Sequence, residues 1–179
     1  NCRFDPRSAA RLHEGSDVTL VSTGFMTRFA LDAARKLSAE GLKVDLLHYP
    51  SVKPFDAQAL IESARRTGAV VTVENQNIIG GLGSAACEVL SEQHPVRVKR
   101  LGIPDRFGEV ADQEYLFDKH GFGPKHIAKA CRELARATTV AQARELLAEK
   151  AGSVLKAGGI DVVDHLKEHL IEPPRVVDI

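Results

Sequence analysis

Tryptophan is absent from the 179 residues, tyrosine occurs twice and phenylalanine seven times. That leaves little aromatic surface for stacking on nucleic-acid bases. A net charge is missing too, because 24 Lys and Arg balance 24 Asp and Glu. No long-range field steers the chain toward nucleic acid or an anionic membrane. Cysteine is sparse: Cys2, Cys87 and Cys131 lie far apart, with no CxxC or Cys/His spacing. A disulfide framework and a structural zinc site are therefore not expected, and reduced thiols in a cytoplasmic protein are the simplest reading. No apolar run reaches the length of a membrane span, and no signal-peptide pattern opens the chain. The first residue is Asn rather than Met, so the chain is expected to be a piece of something longer.

What is present is an ordinary globular composition, 44% hydrophobic. A chain of this size buries roughly two-thirds of its unfolded surface, enough for a core without metal or disulfide staples. Residues 1–9 are mixed and Pro-interrupted and read as an arm. Ala10 to Glu14 is a short edge strand before the turn Gly15-Ser16-Asp17, and Asp17 to Ser22 is a clear strand. From Met26 to Glu40 the apolar positions Ala30, Ala33, Ala34 and Leu37 keep helical spacing, with Gly41 suited to the C′ position. Leu42 to Leu47 is the next strand. A loop stiffened by Pro50 and Pro54 leads to Asp56, a good N-cap for a helix from Ala57 to Arg66 that Gly68 can end.

The most informative stretch runs from Val70 to Val110. A β-branched strand ends in Glu74, and a Gly-rich turn, Gly80-Gly81-Leu82-Gly83-Ser84, feeds a helix. A second strand, Val96 to Leu101, then enters the loop Gly102-Ile103-Pro104-Asp105-Arg106-Phe107-Gly108. Strand, glycine-led helix and strand in that order form a βαβ unit of a parallel sheet. Helices follow over Gln113 to His120 and Pro124 to Arg136, the second opening on proline. The class is α/β with a largely parallel sheet. Thr139 with Gln142 forms a capping box for a helix to about Gly152. Gly158-Gly159 is a turn, and Ile160 to Leu170 reads as another helix stopped by Pro173-Pro174. The organisation expected is an arm (1–9), a main domain (10–137) and a helical extension (138–179).

Each candidate for chemistry has a structural counterpart. Gly80, Gly81, Gly83 and Ser84 suggest an anion-binding turn at a helix N-terminus, but no Walker lysine follows them and the step from Glu74 is too long for a Rossmann turn. The alternative is that they let the helix approach the sheet or a partner domain closely. Glu74, at the carboxyl end of a parallel strand, stands where open α/β sheets present functional groups. It is equally suited to accepting N–H bonds from the loop Asn75 to Ile79. Among the histidines, His48 at a strand end and His120 before Gly121 are the pair of interest. No Ser or Cys forms a nucleophile elbow beside them. His165 and His169 share a helical face without the Glu of HExxH, and two ligands alone do not make a zinc site. Asp105 and Arg106 suit a local ion pair or cap.

The letters carry more than the pattern does. DVTLVSTG, VDLLHYPSVKPFD, VVTVENQNIIGGLGSAACEVL and VKRLGIPDRFGEV, in that order, resemble the C-terminal domain of transketolase. They are most similar to the C-terminal section of split transketolases, close to deoxyxylulose-phosphate synthase, and more distantly like 2-oxo-acid dehydrogenase beta subunits. The resemblance spans about Arg11 to Leu134. It implies a three-layer α/β/α domain with a five-stranded mixed sheet whose first strand is antiparallel, which suits Ala10 to Glu14. It also implies a cytoplasmic, homodimeric parent enzyme that transfers a two-carbon ketol unit between sugar phosphates, with thiamine diphosphate and magnesium as cofactors. In that family the cofactor sits between a pyrophosphate-binding and a pyrimidine-binding domain, which supply the catalytic glutamate and the sugar-phosphate grip.

No GDG followed by the metal-binding Asn occurs here. The resemblance therefore assigns no catalytic, cofactor or metal residue to this chain, and implies that alone it binds no cofactor and is inactive. The partners implied are the two cofactor-binding domains or subunits of the same enzyme. Glu74, Gly80, Gly81, Gly83, Ser84 and His48 remain candidates for anion or domain-interface contact. The departures are Glu74-Asn75-Gln76, where relatives often carry two acids or Glu-His, and the tail after Ala137. Two other readings stay open. One is the C-terminal domain of a 2-oxo-acid dehydrogenase beta subunit. The other is a stand-alone regulatory module holding an anionic metabolite at Gly80 to Ser84.

Overall fold

The computed structural model of the protein describes residues 5–135, 154–156 and 176–178. The chain divides into two units, Asn1–Ala135 and Arg136–Ile179. In the first unit the order is β1 (Ala10–His13), β2 (Val18–Thr23), α1 (Met26–Ala39), β3 (Val44–Tyr49), α2 (Ala57–Thr67), β4 (Ala69–Asn77), α3 (Leu82–Gln93), β5 (Arg97–Ile103), α4 (Gln113–His120) and α5 (Pro124–Leu134). The sheet runs β1-β3-β2-β4-β5. β1 is antiparallel to β3, and every other pairing is parallel. This is the five-stranded mixed sheet with an antiparallel first strand that the resemblance implied.

The central strands are nearly continuous apolar runs because both faces of the sheet are covered. Val18, Leu20, Leu46, Val71 and Val73 pack with Met26, Ala30, Ala34 and Leu37 of α1 and with Ile127 and Cys131 of α5. The residues between them, Val21, Leu47, Tyr49 and Val70, pack with Leu60 and Ala64 of α2 and with Leu82, Ala86 and Leu90 of α3. One face therefore carries α1 and α5 and the other carries α2 and α3. β2 hands the chain to a helix on the first face and β4 to a helix on the second, so the topology switches between these neighbouring strands.

Helix ends follow their local chemistry. Asp56 caps α2, its carboxylate accepting from the amide of Ala59 at 3.1 Å, and Gly68 closes the helix at φ +71°. Gly121 closes α4 in the same left-handed conformation. Cys131 is buried in α5, which pushes its thiol up to about 12. No described helix is long and apolar enough to cross a membrane.

Several boundaries differ from the sequence reading. β3 is shifted to Val44–Tyr49, which puts His48 inside the strand. β4 continues three residues past Glu74, and β5 takes in Gly102 and Ile103. The pairing register shifts between Val73 and Asn77, which lets the two strands stay together. In the second unit, β6 (Val154–Lys156) and β7 (Val176–Asp178) form a parallel pair with Val154 opposite Val176. Neither strand was expected from the sequence, and the helices expected over 139–152 and 160–170 lie outside the described residues.

Candidate functional site

Glu74 is the sixth residue of β4 and is buried, with its side chain on the face that carries α3. Its Oε2 accepts from the amide of Leu82 and its Oε1 from the amide of Gly83, both at 2.9 Å. These are the first two residues of α3, where free N–H groups and the helix dipole favour a negative charge. The anion position of this glycine-led helix is thus taken by the protein's own carboxylate. The donors come from the helix itself and not from Asn75 to Ile79.

The glycines explain how a carboxylate can lie so close. A Cβ on Gly81 would overlap Oε2 of Glu74, and one on Gly83 would stand 2.8 Å from Oγ1 of Thr72 and 2.9 Å from Cδ of Arg100. Gly102, read from sequence only as the start of a loop, belongs to the same cradle. A Cβ there would stand 3.1 Å from Cγ of Glu74. A glycine at that register of a strand beside a buried acid was the available signal, since glycine inside a strand often marks a close approach.

The loop above the carboxylate is tied down from several sides. The amide of Gly80 donates to Oγ of Ser84 at 2.9 Å, and Ser84 Oγ donates to the carbonyl of Ile78 at 3.1 Å. Nη1 of Arg100 also donates to that carbonyl at 2.8 Å, and the amide of Ile78 donates to the carbonyl of Ile103. Gly80 sits at φ +77° with open space around it. The five candidates Glu74, Gly80, Gly81, Gly83 and Ser84 are therefore brought together around one internal carboxylate.

His48 belongs to a different cluster, on the face that carries α1. Oγ of Ser22 donates to Oγ1 of Thr27 at 3.1 Å, and Thr27 Oγ1 lies 2.8 Å from Nδ1 of His48. A Thr27 hydroxyl that donates to Nδ1 requires the neutral ring, since a protonated ring nitrogen cannot accept. Partial burial disfavours the imidazolium and lowers the His48 pKa, in the same sense. The structure does not join His48 to His120. The latter ends α4 with its ring 6.5 Å from that of Phe122. His165 and His169 lie outside the described residues. Asp105 accepts from the side-chain amide of Asn77 at 3.3 Å and does not pair with Arg106. Among the described residues no three His, Cys, Asp or Glu side chains gather as metal ligands would.

Comparison with known proteins gives a consistent picture. The family described as transketolase, C-terminal domain, matches residues 7–127. A 6-deoxy-6-sulfo-D-fructose transketolase subunit of Clostridium sp. (strain MSTE9) is 47% identical over 134 residues, covering 75% of this chain and 42% of that protein. A 1-deoxy-D-xylulose-5-phosphate synthase of Heliobacterium modesticaldum (strain ATCC 51547 / Ice1) is 40% identical over 127 residues, covering 70% of this chain and 20% of that protein. Among solved structures, a split-gene transketolase described as an inactive beta4 tetramer superposes with a TM-score of 0.70 at 45% identity, over 74% of this chain and 44% of that one. A Pichia stipitis transketolase shares the fold at 20% identity, with a TM-score of 0.53 over 72% of this chain and 18% of that one. The match spans less than half the length of each of these proteins.

Proposed function

The chain belongs to the family of transketolase C-terminal domains, and from that premise we propose that it is the assembly domain of a transketolase-like enzyme and not its catalytic part. The parent enzyme depends on thiamine diphosphate and magnesium and transfers a two-carbon ketol unit between sugar phosphates. The chain packs on the cofactor-binding domains or subunits of that enzyme and associates with a second copy of itself. Two relatives support the assembly reading: one is named as a subunit and the other is described as a tetramer of one kind of subunit.

The observation that carries the non-catalytic reading is the Glu74 carboxylate on the amides of Leu82 and Gly83. A diphosphate binds well to a glycine-led helix N-terminus. Here that terminus already holds an internal anion, and the glycines that make room for it would have to part before a ligand could enter. The segment that identifies the family is spent on architecture.

Isothermal titration of the chain with thiamine diphosphate, with and without magnesium, tests this directly. No saturable heat is expected, and stoichiometric binding would overturn the proposal. Ketol transfer should arise only on mixing with a cofactor-binding partner subunit. Both fructose 6-phosphate and 6-deoxy-6-sulfo-D-fructose belong in that assay as donors, the latter because the Clostridium relative is named for it.

A further inference from the structure

Past the carboxyl ends of the parallel strands, Phe25, Ile79, Phe107 and Val110 stand exposed, the last two with essentially their full surface in solvent. Phe107 and Val110 belong to residues 104–112, between β5 and α4. Among the described residues no backbone hydrogen bond holds residues 104–111. The helix that follows, α4, buries Phe117 alone. Gly108 has nothing within 4 Å of where a Cβ would stand. A stretch so lightly held is free to move, and apolar side chains left in water favour a position that covers them.

The two ends of the segment say where it can go. At its start, the side chain of Asn77 donates to Asp105 at 3.3 Å and accepts from the amide of Ile79 at 2.8 Å. Phe107 lies two residues beyond that tether, a reach of about 7 Å, so Ile79 is the apolar neighbour at hand. At the other end, the ring of Phe117 lies 5.1 Å from that of Phe29, which lies 5.3 Å from that of Phe25. One ion pair acts on the middle. The carboxylate of Glu109, between Phe107 and Val110, meets Nζ of Lys119 at 2.5 Å and draws the segment back along α4. A pair between two part-exposed groups contributes little and is screened by salt. Lys119 also has a second partner in Tyr115, whose ring centre is 5.4 Å and whose hydroxyl is 3.4 Å away.

We infer that residues 104–112 are a strap latched open by Glu109 and Lys119, which closes when the latch is released. Phe107 then packs on Ile79, and Val110 turns toward Phe25. The closure lies within one chain and covers the apolar edge without a partner.

The chain has no tryptophan, so Phe107→Trp in the full chain supplies a single fluorescent reporter. At low salt its indole should be freely quenched by acrylamide, as an exposed ring is. Adding Glu109→Gln should raise the ratio of closed to open strap about two- to fivefold, the shift that loss of a surface ion pair supports. The readout is weaker quenching and blue-shifted emission. Salt at about 1 M, which screens charges more than about 3 Å apart, should protect the indole while Glu109 is present and add nothing once it is Gln. Ile79→Ser should abolish the protection in both cases. Positions 79, 107 and 109 are exposed, and the salt arm cuts the latch without a further substitution. An indole that stays freely quenched after the latch is cut and screened overturns the strap. So does one already protected at low salt, or protection that survives Ile79→Ser. Protection that fades on dilution also overturns it, because the cover then comes from another copy.

Discussion

Replacing Glu74 by Gln keeps the shape of the side chain but sets an NH2 group against one of the two helix amides. A hydrogen bond to a charged group contributes about 1.5–3 kcal/mol, and a buried donor left unpaired is penalised. Glu74→Gln should therefore cost about 2 kcal/mol in urea denaturation. Gly81→Ala should cost a similar amount for a steric reason, because its Cβ overlaps the carboxylate and the strand below cannot give way. In the double variant the two losses should fall well short of additive, since both disrupt one contact. Strictly additive losses would mean that Gly81 is not there to admit Glu74. His48 offers a test by pH. Its pKa is lowered in the fold by burial, so above the ordinary value of about 6.5 neither folded nor unfolded chain carries the proton and the stability contribution is complete. As pH falls below that value the unfolded chain takes up the proton first, and the contribution drains away until the folded pKa is passed. Melting temperature should drop more for wild type than for His48→Gln between about pH 7.5 and about pH 5.5. Equal drops would remove His48 from the account.

Elements are held together across the sheet by a second buried carboxylate. Asp45 of β3 is fully buried and receives Nε of Arg11 from β1 at 3.2 Å and Nη2 of Arg66 from α2 at 2.5 Å. It also accepts from Ser63 Oγ and from the amide of Gly15. The one antiparallel strand is thereby tied to a helix it does not otherwise adjoin in sequence. Breaking a buried pair leaves charge uncompensated at about 3–5 kcal/mol, and the half-exposed arginines can turn to water. Asp45→Ala should then cost about 3 kcal/mol and should loosen β1 first, seen as faster amide exchange at Arg11 and Leu12 than in the rest of the sheet. Uniform acceleration across all strands would argue against that order.

None of this network was legible in the sequence, because Asp45 reads as a polar residue in a strand and its partners lie 18 to 34 positions away. What was legible is what local chemistry decides. The bounds of α4, the Asp56 cap and the Gly68 stop were all readable, because the Asp56 carboxylate acts within one turn and Gly68 and Gly121 take the left-handed conformation that ends a helix. The Glu74 site was half legible. The acid and the glycines stood out, but their pairing depends on α3 folding back over β4. The extension of β5 through Gly102 was hidden because glycine resembles a loop residue when its strand neighbours are unknown.

At the scale of the molecule, the fold is a family property and the letters announced it, and the division of the chain was read from where the resemblance to that family stops. The described core is drawn from residues between Ala9 and Ala135, in two layers on either side of one sheet. Both layers are built from helices that are complete by Leu134. The next stretch, Arg136–Ile179, forms a compact unit of its own. A domain with its own core folds by itself, and roughly 130 residues suffice for one. A chain ended after Ala135 should therefore keep the circular dichroism of an α/β domain and melt in one cooperative transition. Its melting temperature should lie within a few degrees of the full chain's, because removing residues outside a core costs little beyond their own contacts. The carbonyl of Leu134 accepts from Nη2 of Arg97 at 2.9 Å, so the same chain ended after Arg132 should lose that tether and melt lower. If the chain ended after Ala135 instead unfolds gradually, residues beyond it contribute to the core and the extension is part of the domain.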